Sequence, residues 1–293
     1  MKRQGPLRLA TPAKFTPLLR VLRRRGDGFH EVVIVLAPIS LCDTLTFRFG
    51  GAPIFDLTCE GGAELGPPED NLVLRAARTF AAAVERPLGA RIRLEKRIPA
   101  GAGLGGGSGN AAATLLALNA AHGYPLGPAA LARLAATLGS DVPFFLNPVP
   151  TVARGRGELL EPLPVFPRLP LLVVRPPFAV STAAAYGWVR PDPTERPLPL
   201  LSTPAEVVAA LENAFEAAVF PRHPVLAEIR EALRAAGAAG AVLSGTGSAM
   251  VGIFADAEAR ERAVHALAGQ EAWALFPCET LPSFTYALPP RSP

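Results

Sequence analysis

Apolar and polar positions repeat along this chain at two periods. HEVVIVLAPISL (residues 30–41) and DTLTFRF (43–49) are β-branched and alternating, which predicts two strands. ARIRLEKRI (90–98) puts Ile92, Leu94, Lys96 and Ile98 on one face and Arg91, Arg93, Glu95 and Arg97 on the other, a strand with a polar outer side. A helical spacing runs through PEDNLVLRAARTFAAAVE (68–85), with acids at its start. Six glycines then fall in GAGLGGGSG (101–109). A helix of small residues and Leu begins near Ser108 and runs through NAAATLLALNAAH (110–122). PAALARLAATLG (128–139) predicts a further helix with a glycine cap.

Beyond SDVPFFL, TVARGRGELL (151–160) reads as a strand region and PLPVFPRLP (162–170) as a connector, placing a domain boundary between 162 and 163. LLVVRPPF (171–178) predicts a buried strand, and STAAAYGWV (181–189) opens with a helix N-cap. Two helices fit PAEVVAALENAFEAAVF (204–220) and PVLAEIREALRAAG (224–237). AGAVLSGTGSAMVGIF (239–254) reads strand, glycine turn, strand; a helix (257–269) and a strand (271–277) follow. The second half is thus β-α-α-β-β-α-β, an α+β sandwich. The tail ALPPRSP (287–293) is expected to be disordered.

With 49% hydrophobic and 18% charged residues, the 293-residue chain can build one large core or two domains. No apolar run reaches the roughly 18–20 residues of a membrane span, and MKRQGPLRLATPAKF lacks the features of a secretion signal. Cys42, Cys59 and Cys278 are odd in number and far apart, so neither a disulfide framework nor a zinc site is expected, and a reducing, cytoplasmic location is. The net charge is +4 with one tight basic cluster, RRRGDGFH (23–30), which argues against nucleic acid and suits an anionic small substrate. Of 29 basic residues only Lys2, Lys14 and Lys96 are lysines. In so arginine-rich a chain, a retained lysine suggests a need for ammonium chemistry.

The glycine stretch lies between a strand and a helix N-terminus, where unpaired N–H groups attract phosphate. It lacks the lysine of a Walker loop. Gly101, Gly103 and Gly106 formally match a dinucleotide fingerprint, but no Asp or Glu occurs between Gly109 and Ser140 to bind the ribose, which disfavours an oxidoreductase. PAGAGLGGGSGNAA (99–112) instead resembles the phosphate loop of the GHMP kinase superfamily. That superfamily's other two motifs have counterparts in PAK (12–14) and LSGTGSAM (243–250), in order. The finer pattern, with DGFH (27–30), LGSDVPFFL (138–146), GRGE (155–158) and VSTAAAY (180–186), is similar to the 4-diphosphocytidyl-2-C-methyl-D-erythritol kinase family over roughly residues 8–255.

The resemblance implies a two-domain α+β fold, an N-terminal ribosomal-protein-S5-like domain (1–162) and a C-terminal ferredoxin-like sandwich (163–293). It implies transfer of the ATP γ-phosphoryl group, with Mg²⁺, to the substrate's 2-hydroxyl in the methylerythritol phosphate route to isoprenoids. Asp141 would accept the alcohol proton and Lys14 would favour the ionised acid and the developing alkoxide. Pro99, Gly101, Gly103, Leu104, Gly105, Gly106, Gly107 and Ser108 would wrap the phosphates, with Ser108 on phosphate or Mg²⁺ or as helix N-cap; Asn71 and Lys96 would lie near the adenosine. His30 would bond the cytosine edge, Phe29 and Tyr186 would sandwich its ring, and Thr16, Thr182, Gly245 and Gly247 would complete the substrate side. No residue is assigned as a metal ligand on its own, no nucleic acid or membrane partner is expected, and the chain would be a monomer or weak homodimer. The alternatives are another GHMP-type kinase for a homoserine- or mevalonate-like alcohol, and a non-catalytic nucleotide-binding relative. The chain departs from the family pattern at Thr16 (usually Asn), Gly109 (usually Ser), Asn213-Ala214 (usually Asn-Asp) and Pro148-Val149 (usually Gly-Gly), which bears on substrate affinity.

Overall fold

The computed structural model describes residues 5–61 and 70–290. Two long antiparallel strands form its spine, β1 (Leu7–Arg24) and β2 (His30–Phe49). The first went unread in the sequence, and the second joins what reads there as two strands. Strand β3 (Phe55–Glu60), helix α1 (Leu72–Ala83) and strand β4 (Ala90–Glu95) follow. The start of the predicted 68–85 helix lies outside the described residues; its observed N-cap is Asn71, whose side chain accepts from the Val73 N–H at 2.9 Å.

Helix α2 (Gly106–Ala121) is buried on nearly every side, which its run of Gly, Ala and Leu permits. Helix α3 (Pro128–Leu138) ends at Gly139, the glycine cap expected there, whose φ of 168° is an extended conformation. A 3₁₀ turn (Phe144–Leu146) leads to the hairpin β5 (Thr151–Arg154) and β6 (Leu159–Pro162). The first sheet runs β3-β4-β2-β1, with β5 also paired to β2.

In the second half come β7 (Pro170–Arg175) and α4 (Thr182–Trp188), capped by Ser181 as predicted. The single helix expected over 204–220 is instead α5 (Pro204–Ala209), a two-residue strand β8 (Glu212–Asn213) and α6 (Glu216–Val219). Tertiary bonds override the helical period here. β8 pairs in parallel with Leu18 and Leu19 of β1, and the Asn213 side chain accepts from Phe215 N–H while donating to the Leu243 and Gly245 carbonyls.

Helix α7 (Val225–Ala235), strands β9 (Gly240–Leu243) and β10 (Met250–Ile253), helix α8 (Ala257–Leu267) and strand β11 (Ala274–Glu279) complete the fold. The second sheet is antiparallel in the order β11-β7-β10-β9, the ferredoxin-like order, with α7 and α8 packed on it. The result is α+β, as expected. The two halves interlock: β8 joins the first sheet, and residues 281–290 run back along the first half. Leu281 N–H bonds the Pro38 carbonyl, Phe284 N–H that of Pro148, and the Tyr286 hydroxyl that of Phe145 at 2.7 Å. Contrary to the expectation for the tail, Pro289 is held by the Tyr124 hydroxyl; residues 291–293 lie outside the described part. Among the described residues no helix is long and apolar enough to cross a membrane.

Candidate active site

Three segments far apart in the chain meet in one cleft. β1 carries register breaks between Pro12 and Ala13 and between Phe15 and Leu18, where Pro17 has no N–H to give the ladder. Between these bulges the Lys14 N–H leaves the sheet and donates to the Leu104 carbonyl at 2.9 Å. The glycine loop also docks on the 244–249 turn: Ser244 Oγ donates to the Gly103 carbonyl at 3.2 Å, and Ala249 N–H to that of Ala102 at 3.2 Å. Close approach demands the glycines. Gly103 and Gly105 have φ of 76° and 72°; a Cβ at Gly103 would overlap the Ser244 carbonyl oxygen, and one at Gly105 would lie 2.7 Å from the Phe145 ring and 3.0 Å from Lys14 Cγ.

The loop delivers the chain into α2 with Gly105 as N-cap and no side-chain cap bond. The first α-helical bond runs from Gly109 N–H to Gly105 O, so the N–H groups of Gly106, Gly107 and Ser108 have no partner within the helix. Free N–H groups at the positive end of a sixteen-residue helix are an arrangement that suits an anion. Ser108 is inside the helix, so the N-cap role expected as an option is not the one it has. Gly109, where the family pattern has Ser, presses on Thr11: a Cβ there would come 2.7 Å from Thr11 Oγ1.

A cavity of about 1010 Å³ opens over this helix end, within the range of small-molecule sites. Along the glycine loop its wall carries Pro99, Gly101, Gly103 to Gly107 and Ser108, with Asn71 and Lys96 also lining it. The wall also carries Lys14, Asp141, Phe29, His30, Thr182, Tyr186 and Gly245. Thr16 and Gly247, both expected on the substrate side, do not line it. Thr16 is wholly buried and accepts from Lys14 Nζ at 2.8 Å, so it aims the lysine instead of touching the cleft; Gly247 faces Leu243 and Val180. Sequence reasoning missed Asn110, Ser140, Arg156 and Thr246 on the same wall. All four lie inside motifs quoted above, Asn110 in 99–112, Ser140 in 138–146, Arg156 in 155–158 and Thr246 in 243–250, so motif membership was the available signal.

Lys14 is 4% exposed. Burial draws its ammonium below the ordinary lysine range, and the nearby Asp141 carboxylate pulls it partly back. Burial, then Asp141, pushes the Tyr186 hydroxyl up to about 12, so it stays a proton donor. His30 stacks on Tyr186 with ring centroids 5.0 Å apart, and Tyr186 meets Phe215 edge-on at 4.9 Å. Phe29 is half exposed, with the Arg156 guanidinium 4.6 Å above its ring. On the aromatic wall His30 stacks with Tyr186, and Arg156 stacks on Phe29. Partial burial, then Arg24, lowers the His30 pKa below its ordinary value, favouring a neutral ring that can both donate and accept. Thr182 Oγ1 and Thr246 Oγ1 are 3.2 Å apart, linking α4 to the glycine turn. Asn213, unaltered beside the departing Ala214, braces that turn through the Leu243 and Gly245 carbonyls at 2.7 and 2.8 Å. Among the described residues no three His, Cys, Asp or Glu side chains gather where they could hold a metal ion.

The family described as "GHMP kinases N terminal domain" matches residues 71–147, and "GHMP kinases C terminal" matches 200–272. A 4-diphosphocytidyl-2-C-methyl-D-erythritol kinase from Pelotomaculum thermopropionicum is 44% identical over 254 residues, covering 84% of this chain and 88% of the relative. A crystal structure of 4-(cytidine 5'-diphospho)-2C-methyl-D-erythritol kinase superposes with a TM-score of 0.78 at 37% identity, covering 94% of this chain and 100% of the other. The structure of a homoserine kinase from Cytophaga hutchinsonii aligns with a TM-score of 0.71 at 18% identity over 97% of this chain and 98% of the other; at that identity the likeness concerns the fold alone.

Proposed function

The chain belongs to the 4-diphosphocytidyl-2-C-methyl-D-erythritol kinase family of the GHMP kinases, and from that premise we propose how its own residues carry out the reaction. It is an ATP-using phosphotransferase of isoprenoid biosynthesis. The acceptor is the 2-hydroxyl of 4-diphosphocytidyl-2-C-methyl-D-erythritol. ATP phosphates lie along the glycine loop and on the free N–H groups of Gly106, Gly107 and Ser108. Asn71 and Lys96, which line the same cavity, would face the adenosine.

The acceptor alcohol binds between Lys14 and Asp141. The Asp141 carboxylate accepts the hydroxyl proton as the oxygen attacks the γ-phosphorus in line, and ADP leaves. Lys14, held by Thr16, keeps an ammonium beside the oxygen that is gaining charge; its buried site strengthens that attraction relative to water. His30, Tyr186, Phe29 and Thr182 hold the cytidine end. Mg²⁺ bound with the nucleotide would neutralise phosphate charge, and the Ser108 hydroxyl at the helix start would help to hold it. A cytoplasmic setting and a domain boundary near residue 162 accompany this reading.

The carrying observation is the meeting of PAK, the glycine loop and the glycine turn through the Lys14–Leu104 and Ser244–Gly103 bonds. ADP release measured with a panel of alcohols tests it. The cytidine-linked substrate should turn over far faster than homoserine or mevalonate. A preference for either of those would refute the substrate assignment, and ATP binding without transfer to any alcohol would refute catalysis.

A further inference from the structure

Asp43 has no place in the chemistry above and does not line the cleft, yet it is wholly buried on β2 with four donors on its carboxylate. Lys96 Nζ donates to Oδ2 at 2.5 Å and Asn110 Nδ2 to the same oxygen at 2.9 Å. The backbone N–H groups of Arg97 and Ile98 donate to Oδ1, each at 2.8 Å. That is about the full acceptor capacity of a carboxylate.

These donors flank the nucleotide loop. Arg97 and Ile98 immediately precede Pro99, where the loop begins. Asn110 immediately follows Gly109, where it has become helix. Lys96 approaches the same helix start, since a Cβ at Gly106 would come 3.1 Å from its Nζ. We infer that Asp43 is a positioning residue for the phosphate loop, gripping both ends so that its glycines hold one shape. Glycine-rich backbone has more conformational freedom to lose than any other, so ends pinned to one rigid strand reduce what ATP binding must order. Asn110 depends on this grip, because its Oδ1 is buried and accepts no hydrogen bond, leaving Asp43 as the side-chain partner that orients its amide. A fold-stabilising purpose alone is a weak explanation, because well-packed apolar residues often replace buried ion pairs without loss of stability.

The inference rests on the ATP reading, so the experiment tests both separately. ATP is titrated calorimetrically into the wild type, Asp43→Asn, Asn110→Ala and the double variant, with thermal melting and KM for each substrate. Asp43→Asn retains an oxygen for the Arg97 and Ile98 N–H groups but cannot accept from both Lys96 and Asn110. Asn110→Ala releases only the far end and carries the test if Asp43→Asn does not fold. Each single variant should weaken ATP binding about 10- to 100-fold, the scale of small misplacements. KM for the cytidine substrate should stay within about twofold, and the double variant should be no worse than Asp43→Asn, as for two changes that break one bond. Lower melting temperature with wild-type ATP affinity would overturn the positioning role, as would losses that multiply in the double variant. A folded wild type that does not bind ATP would overturn the nucleotide reading and this inference together.

Discussion

Gly107→Ala separates a ligand cradle from a merely structural glycine loop. Unlike Gly103 and Gly105, Gly107 has no positive φ, and a Cβ there meets only Leu72 Cδ1 at 3.4 Å, an ordinary contact. It lies in the first turn of α2, where alanine is the better helix former. The protein alone should therefore gain about 0.4–1 kcal/mol from a less flexible unfolded chain, which is roughly 1–3 °C in Tm for a chain of this size. The methyl would nevertheless project at the cleft wall beside the free N–H groups, where a phosphate must come within hydrogen-bond distance. Displacing that phosphate should cost about 1.4 kcal/mol or more, tenfold in ATP affinity. Thermal melting and ATP titration on the same sample measure both. A variant that melts higher and binds ATP at least tenfold more weakly supports the cradle. Unchanged ATP affinity would show that phosphate does not approach this backbone.

Gly105→Ala should act in the opposite manner, losing stability as well as turnover by about 1–3 kcal/mol, because its Cβ meets Phe145 and Lys14 Cγ at a φ of 72°; a Tm equal to wild type would contradict the packing described. Lys14→Met should keep the fold but lower kcat about 10²-fold in an ADP-release assay, and near-normal turnover would remove Lys14 from the mechanism. Because burial lowers the Lys14 pKa, activity should fall on the alkaline side at a pH below the ordinary lysine value of 10.5, as the ammonium is lost. The stability sign is the reverse. At this residue the unfolded chain binds more protons between the lowered folded pKa and 10.5, so Lys14 contributes stability that rises with pH there, opposed by the thiols and phenols whose pKa burial raises; the difference between denaturant titrations of wild type and Lys14→Met isolates that rise.

Local patterns carried much of this architecture. The glycine loop was legible because several small residues, a preceding alternating strand and a following alanine-rich helix all lie within one short stretch. Ser181 was legible as a cap for the same reason. What stayed hidden depends on distant partners. The 204–220 segment has a helical period, but Asn213 bonds to carbonyls 30 and 32 positions away and the backbone breaks to let it. Asp43 looks like an ordinary polar residue at a strand start, and its grip on Lys96 and Asn110 spans 53 and 67 positions. Thr16 could be placed near Lys14 but not beneath it, because the bulge that turns Lys14 to the cleft leaves no mark except Pro17. The aromatic residues are legible one by one; which ring stacks on which depends on distant partners, Tyr186 of α4 for His30 and Arg156 for Phe29.

The central claim is that Lys14 and Asp141 move a phosphoryl group from ATP to the 2-hydroxyl of 4-diphosphocytidyl-2-C-methyl-D-erythritol. Coupled ADP release with that substrate, compared between wild type and Asp141→Asn, tests it most directly. The wild type should turn over at a rate typical of small-molecule kinases, about 1–100 s⁻¹. Asp141→Asn should fall at least about 10²-fold below it while still binding ATP. Equal turnover in the two proteins, or none above background in the wild type, would contradict the account.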